Sequence, residues 1–279
     1  MRAEEFRKYG DAEIKHLQEV ELMILKDVVK ILDDHNLNYY MYGGSLLGTI
    51  RHGGFIPWDD DIDIILFRED FDKALEILYN KLPSKYDIIQ MDYIDDCFAY
   101  FAKVSLKNTT FGRWYSSYVD YDLGINIDIF VLDNIPNSDF LGKLHHKGYT
   151  FFYQFVINSC IRMDMYSKLG TKLHHMVHDI LDKLPISRRF WKRLLTKEIT
   201  FFNNKETEKV TDCFNLAGFM AYQRDDFEPS IKAKFEDFEV TIPKNYDKLL
   251  TQIYGDYMKI PPKEDRYNAA PEILDFGEY

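Results

Sequence analysis

Four aspartates, Asp59, Asp60, Asp61 and Asp63, stand at the start of an apolar segment. The alternation that follows predicts a strand over residues 61–66. A period of two then places Asp59, Asp61 and Asp63 on one face of that strand. Like charges on one strand face repel each other, and a bound divalent cation removes that cost. Oxygen ligands alone suit Mg²⁺ or Mn²⁺. An exposed acidic turn would explain WDDD, but not the alternating Asp-Ile-Asp-Ile.

A third carboxylate is expected from a neighbouring strand, predicted over residues 125–132. Asp128 lies in its middle among β-branched and aromatic residues, where an unpaired charge is expensive. We therefore predict that Asp61, Asp63 and Asp128 are the metal ligands and catalytic carboxylates. Asp133 lies at the end of that strand, shortly before Asn134 and Pro136, and we predict that it is a turn residue.

A glycine-rich turn precedes the acidic segment. A short aromatic strand over 38–42 ends at Gly43-Gly44-Ser45, and a helix is predicted over 46–51. Free backbone N–H groups at a helix N-terminus bind phosphate. Ser45 can cap the helix and also donate to a phosphate oxygen. A Gly-Ser cap occurs in many proteins, so Gly44 and Ser45 indicate phosphate binding only in combination with the carboxylates.

Three cationic or ionisable side chains and one indole are candidates for substrate contact. Arg51 and His52 follow the short helix, and Lys103 lies among aromatic residues on a strand predicted over 98–105. Trp58 could line a pocket or belong to the core. Arg51, His52 and Lys103 could each equally be a surface charge or a cap. The sequence does not say which aromatic residues would enclose a quaternary ammonium group.

The remaining periodicities predict an α/β (α+β) fold with a mixed β-sheet flanked by helices. An amphipathic helix is expected over 11–35 and another over 69–81, and a further strand over 86–92. The expected division is a catalytic core at 1–137, a helical basic subdomain at 138–205, and a segment at 206–279 that packs back on the core.

The stretch 140–200 is unusually basic. It has eleven Lys and Arg against four Asp and Glu, a net +7, whereas the whole chain carries −11 and the remainder therefore −18. Solvated helical faces would explain this charge. The alternative is a surface that meets an anionic polymer or the inner membrane leaflet through basic amphipathic helices.

The overall composition excludes several classes of protein. A net charge of −11 argues against binding nucleic acid in bulk. Three cysteines far apart in the sequence form neither a CxxC pair nor a disulfide framework, so reduced thiols in the cytoplasm are expected. The sequence shows neither a signal-like apolar region nor a run of about 20 apolar residues. A cytoplasmic protein, at most peripheral to the inner face of the membrane, is predicted.

The motifs together resemble a known family. Gly-Gly-Ser, an Asp-x-Asp strand and a later Asp are the nucleotidyltransferase pattern of the DNA polymerase β superfamily. GGSLLGTIRHGGFIPWDDDIDI (43–64) is similar, almost residue for residue, to the signature of the LicD family, which includes fukutin-type proteins. INIDIFVLDNIP (125–136) and YGDYMKIPP (254–262) resemble its later blocks. The resemblance covers most of residues 10–265 and is weak in 140–200.

The resemblance implies metal-dependent transfer of phosphocholine from CDP-choline to a hydroxyl of a cell-surface glycan, with release of CMP. The acceptor would be lipopolysaccharide, teichoic acid or capsule. Another CDP-linked donor, carrying ribitol or glycerol phosphate, stays open, as do true nucleotidyl transfer to a small molecule and an inactive module that binds glycans or membranes.

The resemblance also suggests roles for the candidate residues. Asp61 and Asp63 would hold Mg²⁺ or Mn²⁺ against the donor diphosphate, and Asp128 would complete the site and accept the proton of the attacking hydroxyl. Asp59 is expected to lie outside the direct ligands. The block at 254–262 is expected to close the fold. The residues predicted to contact substrate are Gly44, Ser45, Arg51, His52, Trp58 and Lys103.

Overall fold

The structure, a computed structural model, describes residues 8–113, 115–165, 167–213, 218–266 and 270–279. The helices of the described chain are α1 (Asp11–Asp34), α2 (Gly43–His52), α3 (Arg68–Lys81), α4 (Asp139–Cys160), α5 (Lys168–Lys183), α6 (Arg188–Ile199) and α7 (Tyr246–Tyr254). The strands are β1 (Tyr40–Met41), β2 (Asp63–Phe67), β3 (Tyr86–Ile89), β4 (Ala102–Leu106), β5 (Thr110–Gly112), β6 (Asn126–Ile135), β7 (Lys209–Asp212), β8 (Tyr222–Gln223), β9 (Ser230–Phe235), β10 (Phe238–Pro243) and β11 (Ile273–Asp275).

A seven-stranded mixed sheet organises these elements. Its central order is β1-β2-β6-β4-β3, and β7 and β8 continue from the far half of β6. The β2–β6 pair is parallel and the other pairs are antiparallel. The predicted fold class, a mixed sheet with flanking helices, is therefore confirmed. None of the helices in the described part of the chain combines the length and apolarity that crossing a bilayer requires.

One face of the sheet packs against the long N-terminal helix. Ile64 and Leu66 of β2, with Ile129 and Val131 of β6, are buried in one cluster with apolar residues of α1 and α3. These side chains alternate along each strand, as a period of two requires. The apolar stripe of the amphipathic helix and the alternate residues of the central strands therefore form the principal core.

The opposite face carries the candidate catalytic residues. Ile65 and Phe130 are buried there in a second, aromatic-rich cluster, and the Phe130 ring lies 4.7 Å from that of Phe101. Asp63 and Asp128 precede Ile65 and Phe130 by two positions, so they share this face. The acidic residues thus stand at the end of an apolar sheet surface.

Several predicted boundaries differ from the observed ones. The strand predicted over 61–66 begins at Asp63, so Asp61 lies in the preceding loop and not in the strand. The helix predicted over 46–51 already begins at Gly43, so the glycine turn is its first turn. The strand expected over 38–42 is reduced to two residues. Short loops next to a strand share its alternation of residue types, which is why periodicity alone overextended these strands.

The C-terminal part of the chain returns to the core. Strands β7 and β8 extend the main sheet, and β11 pairs with β5, a strand that the periodicities did not predict. The His16 ring lies 3.1 Å from the carbonyl oxygen of Tyr279. The tail therefore packs against α1 and the strand region.

Asp133 was predicted to be a turn residue, and this is wrong. It lies within β6 and is fully buried. Arg68 donates from Nε and Nη2 to its two oxygens, each at 2.8 Å. Asn203 donates from Nδ2 at 2.6 Å, and the Tyr100 hydroxyl donates as well. A strand position that would be costly for a lone charge is tolerated because the carboxylate is fully hydrogen-bonded.

We predict that Asp133→Ala lowers the free energy of unfolding by about 3–5 kcal/mol, because the buried Arg68 guanidinium loses the carboxylate that accepts from its Nε and Nη2. Asp72 provides a matched control, since it pairs with the same guanidinium at 3.1 Å but is 63% exposed. Asp72→Ala should cost only about 0.2–1 kcal/mol. Urea unfolding followed by circular dichroism measures both. Equal losses would contradict a structural role specific to the buried pair.

Candidate active site

Strand register brings three candidate residues into one row. Asp63 on β2 is the Cα partner of Asp128 on β6, and Asp128 is in turn the partner of Lys103 on β4. The backbone N–H of Asp128 donates to the Ile62 carbonyl at 2.8 Å, which fixes the parallel register beside the site. Three strands, widely separated in sequence, thus present two carboxylates and an ammonium side by side.

Lys103 neutralises part of this charge. Its Nζ lies 2.5 Å from Asp128 Oδ1 and 3.3 Å from Asn126 Oδ1. Burial disfavours the ammonium, but the adjacent Asp128 carboxylate outweighs burial and raises the pKa of Lys103. Lys103 is therefore a charged residue of the carboxylate row, and its contact with a donor phosphate stays a prediction.

The loop before β2 adds more negative charge. Oxygens of Asp59, Asp60 and Asp61 all lie within 4.8 Å of one another. Among the described residues, these three aspartates meet the spacing expected around one metal ion. The ligands predicted from the sequence are Asp61, Asp63 and Asp128, so the two sets share Asp61. Asp59, expected outside the direct ligands, belongs to the tighter group.

The electrostatics of the cluster favour a positive ligand. Burial, followed by the neighbouring Asp61 and Asp128 carboxylates, raises the pKa of Asp63 well above its ordinary value. Burial and adjacent carboxylates raise the pKa of Asp61 to about 6 and that of Asp59 to about 8. The donors are carboxylate oxygens without thiolate or imidazole, a set that fits Mg²⁺ or Mn²⁺. Asp61, Asp63 and Asp128 are accordingly residues that could hold such an ion.

Hydrogen bonds from α1 and from the residues just before it hold the acidic loop in place. Gln18 Nε2 donates to the carbonyl oxygens of Ile56 and Asp59, at 3.2 and 2.8 Å. The Tyr9 hydroxyl donates to Asp60 Oδ2 at 2.8 Å. The loop conformation is therefore held by contacts of Gln18 with its backbone and by the Tyr9 hydroxyl on Asp60.

The Gly-Gly-Ser turn lies directly against these carboxylates. A Cβ on Gly44 would come within 2.6 Å of Asp59 Oδ2, and Gly43 has a φ of +51°, with Asp63 Oδ2 only 3.1 Å from where its Cβ would be. The buried Ser45 Oγ accepts the backbone N–H of Asp63 at 2.8 Å. The turn brings the positive end of α2 to the acidic residues. Ser45 fixes the start of β2, and phosphate contacts of Gly44 and Ser45 stay predictions.

Arg51, His52 and Trp58 form a separate group at the other end of α2. Arg51 Nη1 donates to the Tyr257 carbonyl at 2.7 Å, so it ties the helix to the C-terminal block. The His52 and Trp58 rings lie 6.1 Å apart, and the Arg266 guanidinium lies 4.7 Å over the indole. Burial lowers the pKa of both Arg51 and His52. Substrate contact by these three residues stays a prediction.

Sequence reasoning missed Glu21 and Arg113 at the site, and it favoured a structural role for Tyr254. Glu21 and Arg113 line a cavity of about 30 Å³ with Asp60, Asp61, Lys103, Phe111, Tyr115, Leu123, Asn126 and Asp128. That volume suits an ion or a few waters, not a nucleotide. The Tyr254 hydroxyl lies 3.8 Å from the position of a Cβ on Gly43, so the C-terminal block reaches the site as well as closing the fold. The available signal was Glu21 itself, a carboxylate on the apolar stripe of α1.

The raised pKa values of Asp59 and Asp61 predict that the stability of the metal-free protein depends on pH. Because folding raises the pKa of Asp59 to about 8 and of Asp61 to about 6, the folded state holds more protons than the unfolded chain above about pH 4. These groups therefore make stability fall as the pH rises towards 8. We predict a falling melting temperature between about pH 5 and pH 8 in EDTA, measured by differential scanning fluorimetry.

Asp59→Asn should flatten this profile, because it removes the carboxyl group with the higher pKa of the two. Asp120, which is exposed and outside the cluster, is the control, and Asp120→Asn should keep the slope of the parent protein. A profile for Asp59→Asn as steep as that of the parent would contradict this origin of the pH dependence.

Comparison with known proteins places these features in a family. Residues 36–122, which include the glycine turn, the acidic loop and Lys103, match the family described as LicD/FKTN/FKRP, nucleotidyltransferase domain. The lipopolysaccharide cholinephosphotransferase LicD of Haemophilus influenzae is 28% identical over 264 residues, which cover 91% of this chain and 94% of that protein.

A shorter similarity links the chain to a second kind of transferase. The ribitol 5-phosphate transferase FKRP of Homo sapiens is 49% identical over 43 residues, only 15% of this chain and 9% of that protein. The nearly full-length similarity and the domain match are consistent with the aspartates and Lys103 that lie together at the sheet edge. Residues 36–122 therefore match the LicD/FKTN/FKRP nucleotidyltransferase domain, and the chain is similar to a LicD phosphotransferase over nearly its full length.

Proposed function

We propose that this protein transfers phosphocholine from CDP-choline to a hydroxyl of a cell-surface glycan and releases CMP. The observation that carries the proposal is the row of Asp63, Asp128 and Lys103 at the sheet edge, with Asp61 beside it. Similarity to a cholinephosphotransferase over nearly the full chain supports the choice of head group. Lipopolysaccharide, teichoic acid and capsule are the candidate acceptors.

The carboxylate row would organise the reaction. Asp61, Asp63 and Asp128 would hold Mg²⁺ or Mn²⁺, which supplies positive charge opposite the diphosphate of the donor. The acceptor oxygen attacks the phosphorus that bears choline, its proton passes to a carboxylate oxygen of Asp128, and the bond to CMP breaks. Lys103, 2.5 Å from Asp128 Oδ1, orients that carboxylate and leaves its second oxygen for the proton.

The start of α2 would bind the donor phosphates. Its N-terminus offers backbone N–H groups beside Gly44, and Ser45 keeps this turn against the start of β2. Arg51, His52 and Trp58 would contact the donor at the opposite end of the helix, where Arg51 contacts the C-terminal block. In this proposal α2 spans the donor from its phosphates towards the nucleoside.

Two enzymatic alternatives use the same row. Local similarity to a ribitol 5-phosphate transferase favours a CDP-linked alditol, ribitol or glycerol phosphate, as the second candidate donor. True nucleotidyl transfer would release pyrophosphate from a nucleoside triphosphate in place of CMP. An inactive module that binds glycans or membranes would release neither product.

We predict metal-dependent CMP release from CDP-choline in a panel that also contains CDP-ribitol, CDP-glycerol and CDP-ethanolamine, assayed with a glycan acceptor. Asp63→Asn and Asp128→Asn should each lower the rate by at least about 100-fold, because they remove charge or the proton acceptor from the reacting centre. Chromatography of the nucleotide products gives the rates.

Asp120→Asn serves as the matched control and should retain the parental rate. Parental rates in both the Asp63→Asn and Asp128→Asn variants would overturn the assignment of the row. Preference for CDP-ribitol would leave the assignment of the row intact but would make ribitol phosphate, in place of phosphocholine, the transferred group. Pyrophosphate release from CTP would show that the reaction is nucleotidyl transfer.

We also propose that the protein contacts the inner leaflet of the membrane from the cytoplasm, through α5. This helix has an apolar stripe that faces solvent, at intervals of three or four residues that place it on one side. The exposed fractions are 69% for Leu169, 50% for Leu173, 51% for Met176 and 52% for Ile180, and Leu184, just beyond the end of the helix, is 41% exposed. A soluble surface rarely keeps four large apolar side chains in one row.

The charge beside the stripe favours anionic lipid as its partner. Lys172 and Lys183 lie on one flank of the stripe at 100° per residue, and both line a shallow groove with Met176 and Ile180. The surrounding stretch 140–200 carries the +7 charge in a chain of net −11. Apolar side chains that enter the interface, with lysines at the level of the phosphates, are typical of helices that lie on membranes.

The double substitution Leu173→Gln and Ile180→Gln should weaken binding to vesicles of phosphatidylcholine and phosphatidylglycerol by about tenfold or more, because two apolar contacts are lost. Co-sedimentation measures it, and binding should fall with added salt and without phosphatidylglycerol. Tyr79→Gln, on α3, removes a side chain that is 65% exposed and should change nothing.

Unchanged vesicle binding in the double variant would refute this surface. Concentration-dependent dimerisation of the parent protein that the double substitution abolishes, without vesicle binding by the parent, would reassign the stripe to a contact between two copies of the chain.

A further inference from the structure

Glu21 is an ionisable residue in an apolar setting. It lies on α1 among the buried residues Leu17, Ile24 and Leu25, and only 1% of it is exposed. Its Oε2 is buried without a hydrogen-bond partner among the described residues. A buried carboxylate normally has a donor or a cation beside it, so the missing partner requires an explanation.

The position of Glu21 supplies that explanation. It forms one wall of the cavity of about 30 Å³ that Asp60, Asp61 and Asp128 also line. Burial, followed by the Asp61, Asp60 and Asp59 carboxylates, raises the pKa of Glu21 well above its ordinary value. The side chain of Glu21 therefore faces the acidic cluster from the helix side.

The charges around this cavity do not balance. Four carboxylates line it with two cations, and each cation has a carboxylate of its own. Lys103 pairs with Asp128 at 2.5 Å, and Arg113 Nη2 lies 3.6 Å from Asp60 Oδ2. Glu21 and Asp61 remain without a cationic partner in the described part of the chain. The formal excess of two negative charges equals the charge of one divalent cation.

We propose that Glu21 and Asp61 hold a divalent cation in this cavity, at a position additional to the one between Asp61, Asp63 and Asp128. The cavity has room for one ion with its water, and hard oxygen ligands again suit Mg²⁺ or Mn²⁺. Asp60, anchored by Tyr9 and Arg113, borders the position. This ion offsets the buried charge of Glu21 and fixes α1 against the acidic loop.

The proposal goes beyond the transferase assignment and does not depend on the donor. Its competitor is a neutral, protonated Glu21 that binds no ion. Gln is nearly isosteric with protonated Glu, so Glu21→Gln separates the two explanations. If an ion is held, this substitution removes a ligand; if the acid is neutral, it changes almost nothing.

Mn²⁺ titration followed by electron paramagnetic resonance is the test. The parent protein should bind two ions per chain, whereas Glu21→Gln should lose one class of site or weaken it at least about tenfold. Asp63→Asn should affect the other class, and Asp120→Asn should keep both. Glu21→Asp, which retains the charge on a shorter side chain, should show intermediate affinity and provides a second variant if Glu21→Gln does not fold.

A second readout comes from stability. Mg²⁺ should raise the melting temperature of the parent protein more than that of Glu21→Gln. Mn²⁺ stoichiometry and affinity equal to the parent in Glu21→Gln would overturn the proposal. CMP release by the parent protein is measured separately, so the transferase assignment can fail or stand regardless of this result.

Discussion

Repulsion among carboxylates is the constraint to which the rest of this structure responds. Six acidic side chains converge on one end of the sheet: Glu21, Asp59, Asp60, Asp61, Asp63 and Asp128. The fold opposes their mutual repulsion with Lys103 and Arg113 and with the positive end of α2. The side chains of Gln18 and Ser45 bind the backbone of the loop and of the strand start, and so hold both in place.

Strand β6 shows the contrast between a structural carboxylate and one that we propose acts in catalysis. Asp133 accepts hydrogen bonds from Arg68, Tyr100 and Asn203 and is completely enclosed. Five residues earlier, Asp128 has one oxygen on Lys103 and reaches a cavity. Satisfied charges stabilise a fold, whereas charges left incompletely paired favour the binding of a cation or substrate. The same strand therefore contributes an internal anchor and a carboxylate of the candidate active site.

The sequence was sufficient for the fold class and for most elements, because alternation and helical spacing are local properties. The sequence was not sufficient for the boundaries at Asp61 and Gly43, because a loop that continues the alternation resembles a strand. Asp133 was misassigned because its partners come from α3, the segment before β4 and the region after α6. Glu21 was overlooked for a similar reason: only the packing of α1 on the sheet shows that an acid on its apolar stripe faces Asp61.

The basic helical region is joined firmly to this acidic edge. Lys192 of α6 is 2% exposed, and its Nζ donates to the carbonyl oxygens of Met91, Ile94 and Asp95 at 2.8, 2.9 and 2.7 Å. Those carbonyls follow β3, which pairs with β4, the strand that carries Lys103. One of the eleven basic residues is thus a structural clamp and not a solvated charge. Because α4 packs against both α5 and α6, the clamp also limits how α5 can move relative to the carboxylate row. A surface bound through α5 would therefore meet the candidate active site at a defined orientation.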